Sequence, residues 1–167
     1  MKHLIFKNKT VVITGHTGFK GSWLTAWLKK LGANVIGISL EPPTNPSHYE
    51  SANLQADIID KRIDISNMTE LEEVIVNAQP DFLFHLAAQA IVSTSYKEPI
   101  NTWKVNLIGT LHILEALRRV KKKCAAVIIT SDKCYDNIEW TWGYRENDVL
   151  GGPDPYSASK GAAEILI

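Results

Sequence analysis

Cysteine is scarce in this chain. Its two cysteines, Cys124 and Cys134, form no C-x-x-C pair and no zinc-type spacing, which excludes a disulfide scaffold and a thiolate metal site and makes reduced thiols the expected state. No stretch approaches the roughly 18 uninterrupted apolar residues of a membrane span, and the amino terminus lacks the long apolar core of a secretory signal. Net charge is missing too: 18 basic residues balance 18 acidic ones, so no broad cationic surface for nucleic acid is expected. The densest basic run, Arg118-Arg119-Val120-Lys121-Lys122-Lys123, falls where a helix should end and complements its dipole. Internal repeats and low-complexity segments are absent. What is left, 167 residues at 45% hydrophobic and 22% charged, fits a cytoplasmic globular protein of one domain.

The pattern of elements is more informative. The apolar run Val11-Val12-Ile13-Thr14 breaks into Gly15-His16-Thr17-Gly18-Phe19-Lys20-Gly21 and resumes with helical periodicity through Trp23, Leu24, Trp27 and Leu28. A glycine turn between a strand and a helix aims backbone N–H groups and the positive end of the helix dipole at a diphosphate. Gly32 closes the helix, and Asn34–Ser39 reads as a second strand, followed by a polar, proline-rich loop from Glu41 to about Gln55. An acid at the end of that strand would bond the adenosine ribose of NAD, and an arginine would favour NADP. Ser39 and Leu40 are neither, and Glu41 lies slightly late before Pro42-Pro43, so NAD is expected mainly because no arginine stands there. A third strand is expected around Arg62-Ile63-Asp64, a helix from Met68 to Ala78, and a fourth strand from Asp81 to Leu86. Small residues follow it in Ala87-Ala88-Gln89 and leave room for a flat ring. Pro99 opens a long helix through Leu117, and Ala125–Thr130 supplies a fifth strand. Strands alternating with helices in this way predict an α/β fold, a doubly wound parallel sheet.

Ligands of such sheets lie beyond the carboxyl ends of the strands. Ser131-Asp132-Lys133 follows the fifth strand. Ser131 and Asp132 can bond a substrate hydroxyl or exchange a proton with it, and Lys133 can neutralise charge or act as a base; a plain loop cap accounts for the same residues. Tyr156 and Lys160 stand four apart on a helix starting near Pro155, which places both on one face. A free phenol has a pKa of about 10, so base work near neutral pH needs a positive neighbour, and an ammonium one turn away is such a neighbour. His16 is expected to pack over the cofactor rather than to act on substrate, and His85 to be a satisfied core histidine. Trp140 and Trp142 fit either a sugar pocket or the packing of their own loop.

Taken together, the glycine turn, Glu41-Pro42-Pro43-Thr44, His85–Gln89, Val105–Thr110, Ser131–Tyr135 and Tyr156–Lys160 resemble the extended short-chain dehydrogenase/reductases of the NAD-dependent epimerase/dehydratase family. Within that family the chain is most similar to the CDP-glucose 4,6-dehydratases, which share the basic Lys20 and the lysine at Lys133. The resemblance implies a Rossmann-like NAD-binding domain over residues 1–167 and conversion of CDP-glucose to its 4-keto-6-deoxy product. The chemistry implied is C4 oxidation, loss of water across C5 and C6, and hydride return to C6. Tyr156 would take the O4 proton, Lys160 would hold the ribose and bias Tyr156, and Ser131 would bond the C4 oxygen. Asp132 would serve as the acid for water loss, and Lys133 would stand where relatives carry a C5 base. Gly15, Thr17, Gly18, Phe19, Lys20, Gly21, Ser39, Asp64, Ile65, Leu86, Ala87, Ala88, Gln89 and Asn106 would contact the cofactor together with Tyr156 and Lys160. A homodimer through the Trp103 and Tyr156 helices is also implied, without membrane or nucleic-acid partners. Family members are longer than this chain, and the Tyr156 helix is still running at Ile165-Leu166-Ile167. A substrate domain is therefore expected outside these residues, and the 167 residues alone are expected to turn over little substrate.

Overall fold

Val11, Val12 and Ile13 have no exposed surface, as expected of a strand covered on both faces of a parallel sheet. They form the middle of β1 in a computed structural model that describes residues 5–167. In chain order the elements are β1 (Thr10–Thr14), α1 (Phe19–Lys30), β2 (Asn34–Ser39), α2 (His48–Ser51), β3 (Ile59–Arg62), α3 (Met68–Ala78), β4 (Phe82–His85), α4 (Val92–Lys97), α5 (Pro99–Trp103), α6 (Gly109–Arg118), β5 (Ala125–Ile128) and α7 (Pro155–Leu166). The chain divides into two compact units, one of Met1–Ala87 with His112–Ile129 and the other of Ala88–Leu111 with Thr130–Ile167.

The first unit holds a five-stranded sheet in the order β3-β2-β1-β4-β5, with every pairing parallel. The chain therefore crosses from one side of β1 to the other between β3 and β4. That reversal opens a crevice at the carboxyl ends of β1 and β4, the position at which doubly wound sheets take ligands. Val11, Ile13, Leu28, Ala33 and Val35 form a buried cluster, flanked by Phe6, Phe82 and Phe84. Leu71 and Ile75 of α3 are also fully buried. At the far edge, β5 is mostly exposed along its length.

The expected doubly wound sheet is present, with local differences. β3 runs Ile59–Arg62 rather than around Arg62–Asp64, in register Ile36↔Ile59 to Ser39↔Arg62. An edge strand reading Ile-Asp-Lys-Arg carries almost no apolar alternation, and its backbone pairing is what makes it a strand. The expected loop after β2 contains α2, whose amino terminus is capped by the Ser47 hydroxyl accepting the Glu50 N–H, and a 3-10 turn at Leu54–Asp57. Its anchor is Tyr49, fully buried, with its hydroxyl donating to Asp60 at 2.7 Å. The long helix expected from Pro99 is interrupted by a π segment at Lys104–Ile108 between α5 and α6.

In the second unit, α7 begins at Pro155, with Asp154 as its N-cap. The Asp154 carboxylate accepts from the Ser157 N–H at 2.9 Å and from the Ser157 hydroxyl at 2.6 Å. Burial works to raise the Asp154 pKa, but these two bonds, with the Tyr156 backbone and the charge of Lys133, together outweigh it and hold the carboxyl below its ordinary value. Asp154→Ala is expected to cost about 1 kcal/mol in chemical denaturation. Because the folded pKa is depressed, that contribution is complete at neutral pH and disappears as pH falls through the folded value, so the two proteins should converge in stability in acid.

Candidate functional site

At the end of β1 the backbone turns sharply because Gly15 takes φ +76°, a left-handed conformation in which a side chain would also strike the Ala87 N at 2.7 Å. Thr14 fixes this corner to β4. Its hydroxyl oxygen accepts from the N–H groups of Leu86 and Ala87, each at 3.2 Å, and shares a 2.6 Å hydrogen bond with His85 Nδ1. His85 is thus a buried histidine with a partner, as its setting in an apolar strand implies. Gly15 N–H donates to the Ile38 carbonyl at 2.8 Å, which ties the corner to β2 as well.

The turn then closes on itself. A Cβ on Gly21 would sit 2.0 Å from the Gly15 oxygen, so only glycine lets α1 approach this closely. A Cβ on Gly18 would meet only that oxygen, at 3.4 Å, and otherwise open space. Gly18 caps α1 without a side chain, and the first turn carries no acid. The first backbone N–H groups of a helix have no intrahelical acceptor, and here they carry the positive end of a 12-residue dipole. These features fit a diphosphate. Phe19 and Lys20 lie exposed on this first turn.

Thr17 and Ser39 link the turn to the end of β2. Thr17 donates to the Leu40 carbonyl at 3.1 Å and shares a 2.7 Å hydrogen bond with the Ser39 hydroxyl, both side chains being buried. His16 is placed differently from the expectation that it packs over the cofactor: its ring has no exposed surface and lies against Gly37 and edge-on to Tyr49. Its Nε2 contacts Asp60 at 3.0 Å, and burial pushes its pKa below the ordinary histidine value in spite of that carboxylate. Asp64 is exposed and accepts the Ser66 N–H, whereas Ile65 is buried and its carbonyl bonds His112. One residue was expected only as the start of the third strand. Arg62, displaced by the register of β3, stands beside Ser39 at the end of the sheet, so an arginine does reach this edge from the neighbouring strand.

The second unit holds the other residues. Tyr156 and Lys160 lie one turn apart on α7 and are only 8% and 5% exposed. Burial disfavours the Lys160 ammonium and lowers its pKa from the ordinary lysine value, opposed by Glu164. Such a depressed lysine beside a phenol is a mark of functional sites. The helix face is fixed from the π segment: Asn106 Nδ2 donates to the Ser159 hydroxyl at 3.0 Å and to the Gln89 carbonyl at 3.1 Å, while its Oδ1 accepts the Gln89 N–H at 2.9 Å. Ser159 in turn donates to the Tyr156 carbonyl at 2.7 Å. Asn106 lies within the π segment, a local departure from α-helical geometry, and from there it reaches both Gln89 and Ser159. The Gln89 side chain is engaged by Thr102 and Ile91, and Ala88 is half-buried.

Asp132–Cys134 form a 3-10 turn capped by Ser131, whose side-chain oxygen accepts the Lys133 N–H at 3.2 Å and whose hydroxyl donates to Asp132 at 3.1 Å. Asp132 and Lys133 are exposed, so both heads are open to a ligand. Gly161 lets α7 seat against this segment, since a Cβ there would lie 2.8 Å from the Gly151 N and 3.1 Å from the Cys134 oxygen. Trp140 and Trp142 are exposed, and Trp140 packs near Tyr144, which stacks on Tyr135. Among the described residues no cluster of histidine, cysteine and carboxylate side chains has the makings of a metal site, and no helix is long and apolar enough to cross a membrane.

A parallel sheet in this strand order, with a glycine turn at the end of its central strand, defines a Rossmann-like nucleotide-binding fold. A family model described as GDP-mannose 4,6 dehydratase matches residues 12–167, and the chain belongs to that family. It is 50% identical to CDP-glucose 4,6-dehydratase of Salmonella typhimurium over 162 residues, which are 96% of this chain and 45% of that protein. An epimerase from Methanothermobacter thermautotrophicus superposes with a TM-score of 0.84 at 28% identity, covering 99% of this chain and 48% of that one. MoeE5, solved in complex with UDP-glucose and NAD, superposes with a TM-score of 0.75 at 26% identity, covering 94% of this chain and 47% of its own. The chain thus spans about half the length of the relatives it matches.

The two glycines make contrasting demands. Gly21→Ala should lower stability by about 1–3 kcal/mol, because backbone must move to admit the methyl group. Gly18→Ala should leave the melting temperature nearly unchanged yet weaken dinucleotide binding, since its methyl group fills the approach to the helix amino terminus. Thermal denaturation beside a calorimetric NAD titration separates the two.

Proposed function

We propose that the protein carrying this chain is a nucleotide-sugar 4,6-dehydratase acting on CDP-glucose, with NAD as its cofactor. The observation that carries the reading is the buried Tyr156 and Lys160 pair, set by Asn106 and Ser159 on a chain that also keeps the glycine turn. Fifty per cent identity to a CDP-glucose 4,6-dehydratase supports the choice of reaction.

The diphosphate of the dinucleotide would rest on the N–H groups at the start of α1, and when bound the cofactor supplies a reversible hydride acceptor. Tyr156 removes the O4 proton as C4 becomes a ketone. Lys160 is the nearest cation along the helix, and its cost of burial is partly offset when the phenol becomes an anion. Ser131 bonds the C4 oxygen. The new ketone acidifies the hydrogen on C5, Asp132 in its acid form donates a proton to the departing C6 hydroxyl, and Lys133 in its amine form takes the C5 proton. With the hydride from C4 returned to C6 and a proton returned to C5, water would be the only net loss and C6 would end as a methyl group. A 4-epimerase needs the first proton transfer alone, and the solved epimerase neighbour makes that the second reading. Asp132 and Lys133 favour the dehydratase, because elimination needs an acid and a base that epimerisation does not.

The complete gene product should remove water from CDP-glucose with a mass loss visible by mass spectrometry, and should not epimerise UDP-glucose. Tyr156→Phe should lower turnover by about 100-fold or more while dinucleotide affinity changes little. Epimerisation without water loss would overturn the dehydratase reading.

A further inference from the structure

Glu41 and Arg62 meet at the carboxyl ends of β2 and β3, with a Glu41 carboxylate oxygen 3.7 Å from Nη1 of Arg62. The arginine is pinned. Nη1 donates to the Leu40 carbonyl at 2.9 Å, Nη2 donates to Asp60 at 2.8 Å, and the guanidinium lies 5.3 Å from the Tyr49 ring centre. Asp60 is itself held by the Tyr49 hydroxyl at 2.7 Å and by His16 at 3.0 Å. Those two hydrogen bonds use only two of the five N–H donors of a guanidinium. Glu41 is the exposed partner: its side chain is 79% exposed against 29% for Arg62.

The position gives this pair its meaning. The end of β2 is where a Rossmann-like sheet reads the 2′ position of the adenosine ribose, an acid accepting the 2′-hydroxyl of NAD and an arginine binding the 2′-phosphate of NADP. Here the strand ends in Ser39, whose hydroxyl is bonded to Thr17, so β2 itself offers no charged reader. The next residues along the edge are Leu40 and Glu41, and Arg62 pairs in register with Ser39 from β3. Glu41 sets a second carboxylate, beside that of Asp60, against the one guanidinium of Arg62, and so opposes a phosphate dianion at Arg62. Without Glu41 that opposition falls, and a planar guanidinium already fixed in place matches phosphate geometry.

We propose that Glu41 accepts the 2′-hydroxyl of the adenosine ribose and masks Arg62, which is a positioning residue for Glu41 and a latent 2′-phosphate site. The choice of NAD over NADP then rests on one exposed carboxylate rather than on the absence of an arginine. This inference rests on the dinucleotide reading given above.

The test compares binding of ADP and 2′,5′-ADP to the full-length protein by calorimetry, which needs no turnover. The unsubstituted protein should prefer ADP. Glu41→Gln should raise the ratio of 2′,5′-ADP to ADP affinity by about 10-fold or more, and added salt should shrink that gain. Combining Glu41→Gln with Arg62→Met should abolish it. An unchanged ratio in Glu41→Gln overturns the inference alone, as does a preference for 2′,5′-ADP in the unsubstituted protein. Failure of the unsubstituted protein to bind either nucleotide overturns the dinucleotide reading and this inference with it.

Discussion

Everything in the sheet-bearing unit depends on one corner, where Thr14 and Gly15 leave the central strand. Thr14 bonds two successive N–H groups beyond β4, and Gly15 bonds the Ile38 carbonyl on β2, so a single dipeptide sets the ends of three strands. The corner admits no side chain at Gly15 and none at Gly21, which brings the amino terminus of α1 down over the crevice. Buried hydrogen bonds of this kind are costly to leave unmade, so the corner is rigid in proportion to its burial. A rigid array of N–H groups needs no reorganisation to meet an anion, and preorganisation is what makes such a cradle useful.

The other unit solves a similar problem by different means. Tyr156 and Lys160 are largely withdrawn from water, and α7 is held in place by its cap at Asp154, the close seat at Gly161 and the Asn106 bond to Ser159. The π segment is the price of that last bond, because a regular helix from Pro99 onward would rotate Asn106 to another direction. Family membership and the fold are therefore supported by both units, each keeping its own constellation.

Much of this was legible in the residues. β2 and α3 coincide with their expected bounds because Val35, Ile36 and Ile38 make a short β-branched run and Leu71 and Ile75 recur at helical spacing, and the glycine turn announces itself by three glycines between strand and helix. β3 lies two to three residues earlier than expected because Asp60, Lys61 and Arg62 carry no apolar alternation, and that shift sets Arg62 beside Ser39 at the sheet edge. The α2 segment was hidden for a related reason: Tyr49 is a single apolar residue in a polar, proline-rich stretch, and its burial depends on Asp60 and His16, remote in sequence. The break at Asn106 left no mark in the periodicity, since Leu107, Leu111 and Leu114 continue the pattern across it. The start of α7 at Pro155 agrees with the expectation, whereas its cap at Asp154 emerges only in the structure.

The most direct test of the account follows an atom through the reaction. CDP-glucose carrying deuterium at C4 is given to the full-length protein in ordinary water, and the product is examined by NMR. A 4,6-dehydratase predicts a 4-keto-6-deoxy sugar in which the deuterium has moved to the C6 methyl group and the C5 hydrogen has come from solvent. Deuterium returned to C4 with the sugar still bearing its C6 hydroxyl would contradict the account and assign the protein to epimerisation.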